Sequence, residues 1–351
     1  MSSTKPIIFL GAYINSPNAQ NLNCRSLAKY LDKTMFRITA LSLYSLPKVD
    51  IEGVGISNCL WPHRITVYWA FFWNILKADI VYLPKGELLA YNTFLCQLLN
   101  KKCFTTIEGI LDITNLQKAK KVSGSNVLSY YKRFTRCYSI SKFIKTFNFG
   151  KHQLRSEPLI LELGTDSHLF AIKKREFRSL ANVVMIANNF EKKGINDYLK
   201  LASEFPLLRF HLIGGYSKKI KNTVEQRQLK NIIFSGRLDR NEYKAILSDV
   251  QLHILPSKSE GFPKVILETA CCGIPSLVYS NYGADQWITH NENGFVVDTY
   301  DEMKSVVSNL LSNPELLKIN SLNALKLGKS YDWKHKIKVW EEVLLDLIKE
   351  H

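Results

Sequence analysis

Short runs of β-branched and aliphatic residues alternate along the chain with stretches whose apolar positions recur every three or four residues. That alternation predicts a parallel-sheet α/β architecture. In the first half, strands are predicted at Ile7–Leu10, Arg37–Leu41, Ile80–Leu83 and Cys103–Ile107, with Cys137–Ile140 and Leu159–Leu161 closing the sheet. Helical patterns such as Asn23–Asp32 and Leu88–Leu99 lie between them. The alternation restarts at Val183–Ile186 and continues through Arg209–Ile213, Ile232–Ser235, Leu252–Leu255, Ser276–Tyr279 and Phe295–Val297. Two amphipathic helices, Glu315–Leu327 and Trp333–Ile348, follow. The pattern describes two doubly wound halves in series, joined in the polar segment 166–178, which ends FAIKKREFR. Doubly wound sheets bind ligands at the carboxyl ends of their strands. Two such sheets facing each other would enclose a cleft, and chemistry is expected there.

The length of 351 residues fits two domains, and 46% hydrophobic with 22% charged residues excludes disordered or fibrous chains. Seven cysteines (24, 59, 96, 103, 137, 271 and 272) form no CxxC pair, which fits thiols buried as small apolar residues in a reducing compartment. The eight histidines show no ligand spacing, and no GxSxG or GxxxxGK[ST] motif is present. The start, MSSTKPIIFLGAY, reads as a first strand and not as a signal peptide. The most apolar stretch, Ile65–Leu76, is bounded by Arg64 and Lys77 and is too short to span a bilayer. A buried helix is the plainer expectation for it, and shallow insertion at a bilayer interface is the alternative.

Charge is uneven. Residues 1–155 hold 21 Lys and Arg against 7 Asp and Glu, whereas residues 156–351 hold 26 against 24. The first half therefore carries nearly all of the net +16 and attracts an anionic partner. Nucleic acid is not expected, because no RNA-binding motif or regular aromatic platform accompanies the charge.

The most informative segment is PSKSEGFPKVILETACCGIP, residues 256–275. It begins where the strand Leu252–Leu255 ends, makes a Ser/Glu/Gly turn, and enters a helix at Pro263, which needs no backbone N–H there. Gly273 closes that helix. A strand–turn–helix unit of this kind aims amide groups and a positive dipole end at one spot, which suits a phosphate. Lys258 and Lys264 add charge, and the carboxylates of Glu260 and Glu268, about two turns apart, suit sugar hydroxyls. The pattern alone is equally compatible with Glu260 as a turn cap and Glu268 as a solvated helix residue.

This segment resembles the donor-binding signature of retaining GT-B glycosyltransferases, specifically glycosyltransferase family 4 (glycosyl transferases group 1). The order of further segments is similar: IANNFEKKG (186–194), LIGG (212–215), IFSGR (233–237), NGFVV (293–297) and LGTD (163–166). The resemblance covers about residues 156–340. It implies two Rossmann-like α/β domains facing a central cleft: an acceptor domain over 1–165, a nucleotide-sugar domain over 166–332, and a C-terminal helix over 333–351 able to pack back on the first. It also implies roles. Glu260 with Gly261, Phe262 and Pro263 would face the donor sugar and diphosphate, and Glu268 would accept from the ribose hydroxyls. Lys193 would neutralise the departing phosphate in place of a metal, so neither metal nor cofactor is expected. Arg237 and Phe234 would lie near the base, and Gly214 in the glycine loop. Asn188 stands where the family has an arginine, leaving Lys192 or Lys258 to supply that contact. Glu108 stands where the family often has a histidine, beside the reacting sugar. The polar loop from Gly11 to Gln20 would touch donor or acceptor.

The expected function is retaining transfer of a sugar from a nucleoside diphosphate donor to an acceptor hydroxyl. A lipid-linked glycan or cell-surface polysaccharide precursor, such as one of lipopolysaccharide, at the cytoplasmic face of the membrane would fit the basic first half. Its basic stretches Lys101–Lys102, Lys118–Lys121, Lys132–Arg136 and Lys142–Lys151 would then meet anionic lipid. An epimerase of the same architecture and a non-catalytic nucleotide-sugar binder are the competing readings.

Overall fold

The computed structural model describes residues 5–84, 88–112, 116–117, 127–172 and 179–350. The basic stretch Lys118–Lys121 and residues 173–178 of the expected linker lie outside them. The chain forms two compact units. Unit 1 comprises residues 1–164 with 333–351, and unit 2 comprises residues 165–332.

Unit 1 is built on a six-stranded sheet of β1 (Ile7–Tyr13), β2 (Arg37–Leu43), β3 (Val54–Cys59), β4 (Ile80–Tyr82), β5 (Lys102–Ile107) and β6 (Arg136–Ser139). The order is β3-β2-β1-β4-β5-β6 and every pairing is parallel. Unit 2 repeats the plan with β7 (Asn182–Ile186), β8 (Arg209–Ile213), β9 (Ile232–Gly236), β10 (Leu252–Leu255), β11 (Ser276–Tyr279) and β12 (Phe295–Val297), ordered β12-β11-β10-β7-β8-β9. Both are Rossmann-type orders, reversing direction between the first and fourth strands of the unit.

The structure departs from the sequence expectation at two strands of unit 1. β3 was not predicted: its sequence, VGISNC, holds Gly55 and Asn58 and lies half-exposed at the sheet edge, so it lacks the apolar signature of a buried strand. Leu159–Leu161 is reduced to an isolated bridge between Ser139 and Ile160. β1 also runs on to Tyr13, so Gly11 lies buried inside the strand and not in a loop; a Cβ there would come within 2.5 Å of Leu83.

Two helices, Ala19–Tyr30 and Trp333–Lys349, contact each other in unit 1, and the second packs against β4. Trp333 and Trp340 on that second helix are buried, the latter edge-on to Tyr82. The helices His63–Lys77 and Leu89–Leu98 contact each other as well, and the former rests on β1, β2 and β3. All seven cysteines are buried.

In unit 2 apolar residues cover both faces of the sheet. Val183, Met185, Leu252 and Ile254 belong to one cluster, and Val184, Ile213, Cys272 and Ile274 to another. His253 interrupts this apolar run. It is fully buried, with Nδ1 2.9 Å from Ser276 Oγ, and burial pushes its pKa down to about 3. The unfolded chain would bind a proton at this side chain near pH 6.5, and the folded chain only near pH 3. Between those values the unfolded state holds the extra proton, so His253 makes stability rise with pH. Urea midpoints measured across that range should show a shallower acid slope in His253→Leu than in the wild type. An unchanged slope would mean that the imidazole is not held neutral.

Candidate active site

The order of the second sheet reverses between β7 and β10, which pair in parallel through Leu252 with Val183 and His253 with Val184. The chain leaves these neighbouring strands in opposite directions, opening a crevice at their carboxyl ends where Rossmann folds take their ligands. The segments leaving those ends are 187–194 after β7 and 256–263 after β10, which hold Lys193 and Glu260.

These two side chains meet. Lys193 Nζ donates to both carboxylate oxygens of Glu260, at 2.6 and 2.5 Å. Glu260 is buried and Lys193 one-third exposed, so the pair is dry on the carboxylate side and open on the ammonium side. An ammonium has three donors, and two serve Glu260, which leaves one for a further acceptor. Gly194 makes the meeting possible. Its φ of +84° favours glycine, and a Cβ there would lie 1.9 Å from the Pro256 carbonyl oxygen, so only glycine lets the loop rest on the end of β10.

The two helices that follow have no side-chain cap at their N-termini. Ile195–Glu204 starts at Gly194 and Lys264–Cys271 at Pro263. Four other helices of the unit are capped by the side chains of Ser217, Asp239, Thr299 and Asn313. Uncapped amide ends beside the reversal point concentrate positive potential where an anion would sit. Pro263 occupies the cap itself, one position before the first helical residue expected for it.

Glu268 faces another way. It is half-buried on the helix Lys264–Cys271 and accepts a 3.2 Å hydrogen bond from the Tyr243 hydroxyl. Burial raises its pKa above the ordinary carboxylate value, against the opposing pull of Lys264 and the Tyr243 hydrogen bond. The two glutamates therefore serve different neighbours. Phe262, half-buried, packs edge-on to Trp287 at 5.2 Å.

Gly214 also needs its backbone conformation: φ is +131°, and a Cβ would lie 1.9 Å from the Ala187 carbonyl oxygen, so the turn after β8 seats the loop after β7. Arg237 is exposed and passes beside Gly215. Phe234 packs against Tyr216 with ring centroids 4.5 Å apart and planes tilted by 46°. Asn188, Lys192 and Lys258 are exposed. Gly261 is half-buried beside Glu260. Gly11 and Glu108 belong to unit 1, where Glu108 accepts from Thr106 Oγ1 at 3.2 Å and from Asn23 Nδ2 at 3.3 Å.

Sequence reasoning did not single out Tyr243 or Tyr282. The Tyr282 hydroxyl is buried without a hydrogen-bond partner, and burial, then the charge of Glu260, drives its pKa well up. Tyr243 lies 25 residues from Glu268 on a separate helix, and no spacing rule connects them. Tyr282 follows β11 in a turn whose sequence, SNYGAD, reads as an ordinary loop.

A strand reversal with uncapped helix ends beside it is the arrangement in which Rossmann units take up a phosphate. The comparisons then specify it: residues 170–326 match the model of the family described as glycosyl transferases group 1. The second unit is similar to this family, and the fold of the chain is that of the GT-B glycosyltransferases. It is similar to an alpha-galactosylglucosyldiacylglycerol synthase of Streptococcus pneumoniae, 28% identical over 43% of the chain and 41% of that protein. The chain thus spans about two fifths of that relative's length. A glycosyltransferase of Methanocaldococcus jannaschii is 23% identical over 96% of the chain and 90% of its own length. Among solved structures, Anabaena HepE in complex with UDP-glucose superposes with a TM-score of 0.78, at 14% identity, over 97% of this chain and 99% of that one.

Two substitutions test this geometry. Gly194→Ala should destabilise unit 2 by about 1–3 kcal/mol, because the new methyl meets a carbonyl and the positive φ is strained. Wild-type stability in urea would show that segment 187–194 is not seated on Pro256. For Glu268 the native pKa lies above the unfolded one, so the native state keeps its proton to higher pH. Its contribution is complete below the ordinary carboxylate value and is lost as pH rises through the native one. Glu268→Gln should therefore melt higher than wild type at neutral pH and together with it below a pH of about 4. Parallel curves at all pH values would contradict the burial of this carboxyl.

Proposed function

We propose that the protein transfers a sugar from a nucleoside diphosphate donor to an acceptor hydroxyl, with retention at the anomeric carbon. The observation that carries this reading is the Lys193–Glu260 pair at the strand reversal of unit 2, beside two helix N-termini without side-chain caps. A departing diphosphate needs positive charge already in place, and the amide ends together with Lys193 supply it without reorganisation. Glu260 fixes the ammonium and offers carboxylate oxygens to the sugar, and Glu268 offers its own to the ribose. With Lys193 as the cation at the leaving group, transfer needs no metal, and EDTA should leave the rate unchanged.

Phe234, Tyr216 and Arg237 form an aromatic and cationic edge for the base. The proposed acceptor is a lipid-linked glycan or cell-surface polysaccharide precursor at the cytoplasmic face of the membrane. This fits the basic first half of the chain and the diacylglycerol product named for the Streptococcus relative. UDP-glucose is the first donor to test, since it is the ligand of the Anabaena structure.

A panel of nucleoside diphosphate sugars, scored by thermal shift and then by product formation, tests the proposal. At a concentration near a hundredfold above Kd, the right donor stabilises the native state by about 2.7 kcal/mol. Glu260→Gln should keep the donor-induced shift and lower the transfer rate by about a hundredfold or more. Turnover of the donor to an isomer without any acceptor would replace transfer by epimerisation. Full activity in Glu260→Gln would remove this carboxylate from the chemistry.

A further inference from the structure

The helix His63–Lys77 buries Val67, Phe71, Asn74 and Ile75 and turns a second apolar face outward. Ile65, Tyr68, Trp69, Trp73 and Leu76 on that outer face are all exposed. The expectation of a buried helix for this stretch thus holds for one face only. Phe94 and Leu98 are exposed on the neighbouring helix Leu89–Leu98, joined to the first by the edge-on pair Tyr68–Tyr91 at 4.9 Å. The chain has six tryptophans. Trp287, Trp333 and Trp340 are buried, whereas Trp61, Trp69 and Trp73 are 76%, 58% and 49% exposed in this one region. An apolar surface of this kind, left open on a protein unit, marks a binding face.

Charge identifies what binds. Segments 60–78 and 88–103 contain no Asp or Glu, and Arg64 and Lys77, both exposed, stand at the two ends of the first helix. A second copy meeting this face symmetrically would bring the same cations together. Tryptophan and tyrosine with flanking cations suit the headgroup level of a bilayer, where rings reach acyl chains and cations meet lipid phosphates. Among the described residues no helix is long and apolar enough to cross a membrane, so such a helix would lie along the surface.

We propose that unit 1 docks on anionic lipid through the outward faces of His63–Lys77 and Leu89–Leu98, with Trp69 and Trp73 entering the interface and Arg64 and Lys77 on the headgroups. The choice of lipid rests on the lipid-linked acceptor proposed above, whereas the choice of surface rests on exposure and charge alone.

Flotation of the full chain with vesicles of phosphatidylcholine, with or without phosphatidylglycerol, tests the surface. Wild type should float with the anionic vesicles, and its tryptophan emission should shift to the blue. The double variant Trp69→Glu, Trp73→Glu should lose about a hundredfold in partitioning. Arg64→Gln with Lys77→Gln should lose about thirtyfold, on anionic vesicles only. Equal partitioning of wild type and the tryptophan variant would overturn the proposal. So would self-association without vesicles that the tryptophan variant abolishes, since a second copy would then cover the face. Thermal shift with nucleotide sugar, run on the same variants, separates the two ideas. If that shift persists and flotation fails, docking falls alone, and if flotation persists and the shift fails in wild type, the transferase reading falls alone.

Discussion

The site of unit 2 depends on holding a buried carboxylate against an ammonium group next to a strand end. An unpaired ionised glutamate in that position would cost several kcal/mol in lost hydration. Lys193 offsets this by giving both Glu260 oxygens a charged donor, and it can do so only because Gly194 and Gly214 let two loops settle against backbone carbonyls. The helix behind it is braced in the same manner. Gly328 allows the helix Pro314–Ser330 to approach so closely that a Cβ would stand 2.6 Å from the Cys271 nitrogen. Close backbone approaches therefore fix the ion pair, and the ion pair fixes the side of the ammonium that faces outward.

Much of this was legible in the sequence. The strands of unit 2 are short apolar runs between turns, and a strand covered on both faces has to be written that way. The edge strand Val54–Cys59 escaped detection because partial exposure admits glycine and asparagine. Glu260 and Glu268 stood out because a turn, a proline and a glycine frame their helix. Lys193 drew notice only through family resemblance, since its partner lies 67 residues further along and no local pattern announces the contact. The aromatic run at 65–76 was plain as composition. Which face of its helix stays uncovered follows from packing against β1, β2 and β3, and periodicity cannot report that when the helix is apolar all round.

The two units share a strand order and differ in their chemistry. Unit 2 carries the smaller share of the net charge and places individual charges with care at one strand reversal. Unit 1 holds most of the excess positive charge and an aromatic surface, with Glu108 anchored to Thr106 and Asn23. One plan thus supports a site of fixed geometry in one case and a broad cationic face in the other, which matches the view that folds are scaffolds on which sites are placed.

Unit 1 is also written in two pieces of chain, with the whole of unit 2 between them, and the later piece supplies Trp333 and Trp340 to its interior. During synthesis the first sheet must wait for those rings, while unit 2 is uninterrupted and can complete its core earlier. The part of unit 1 that precedes unit 2 is then the last to reach its final packing. Until that happens, its uncovered apolar surface would be exposed to chaperones or to aggregation.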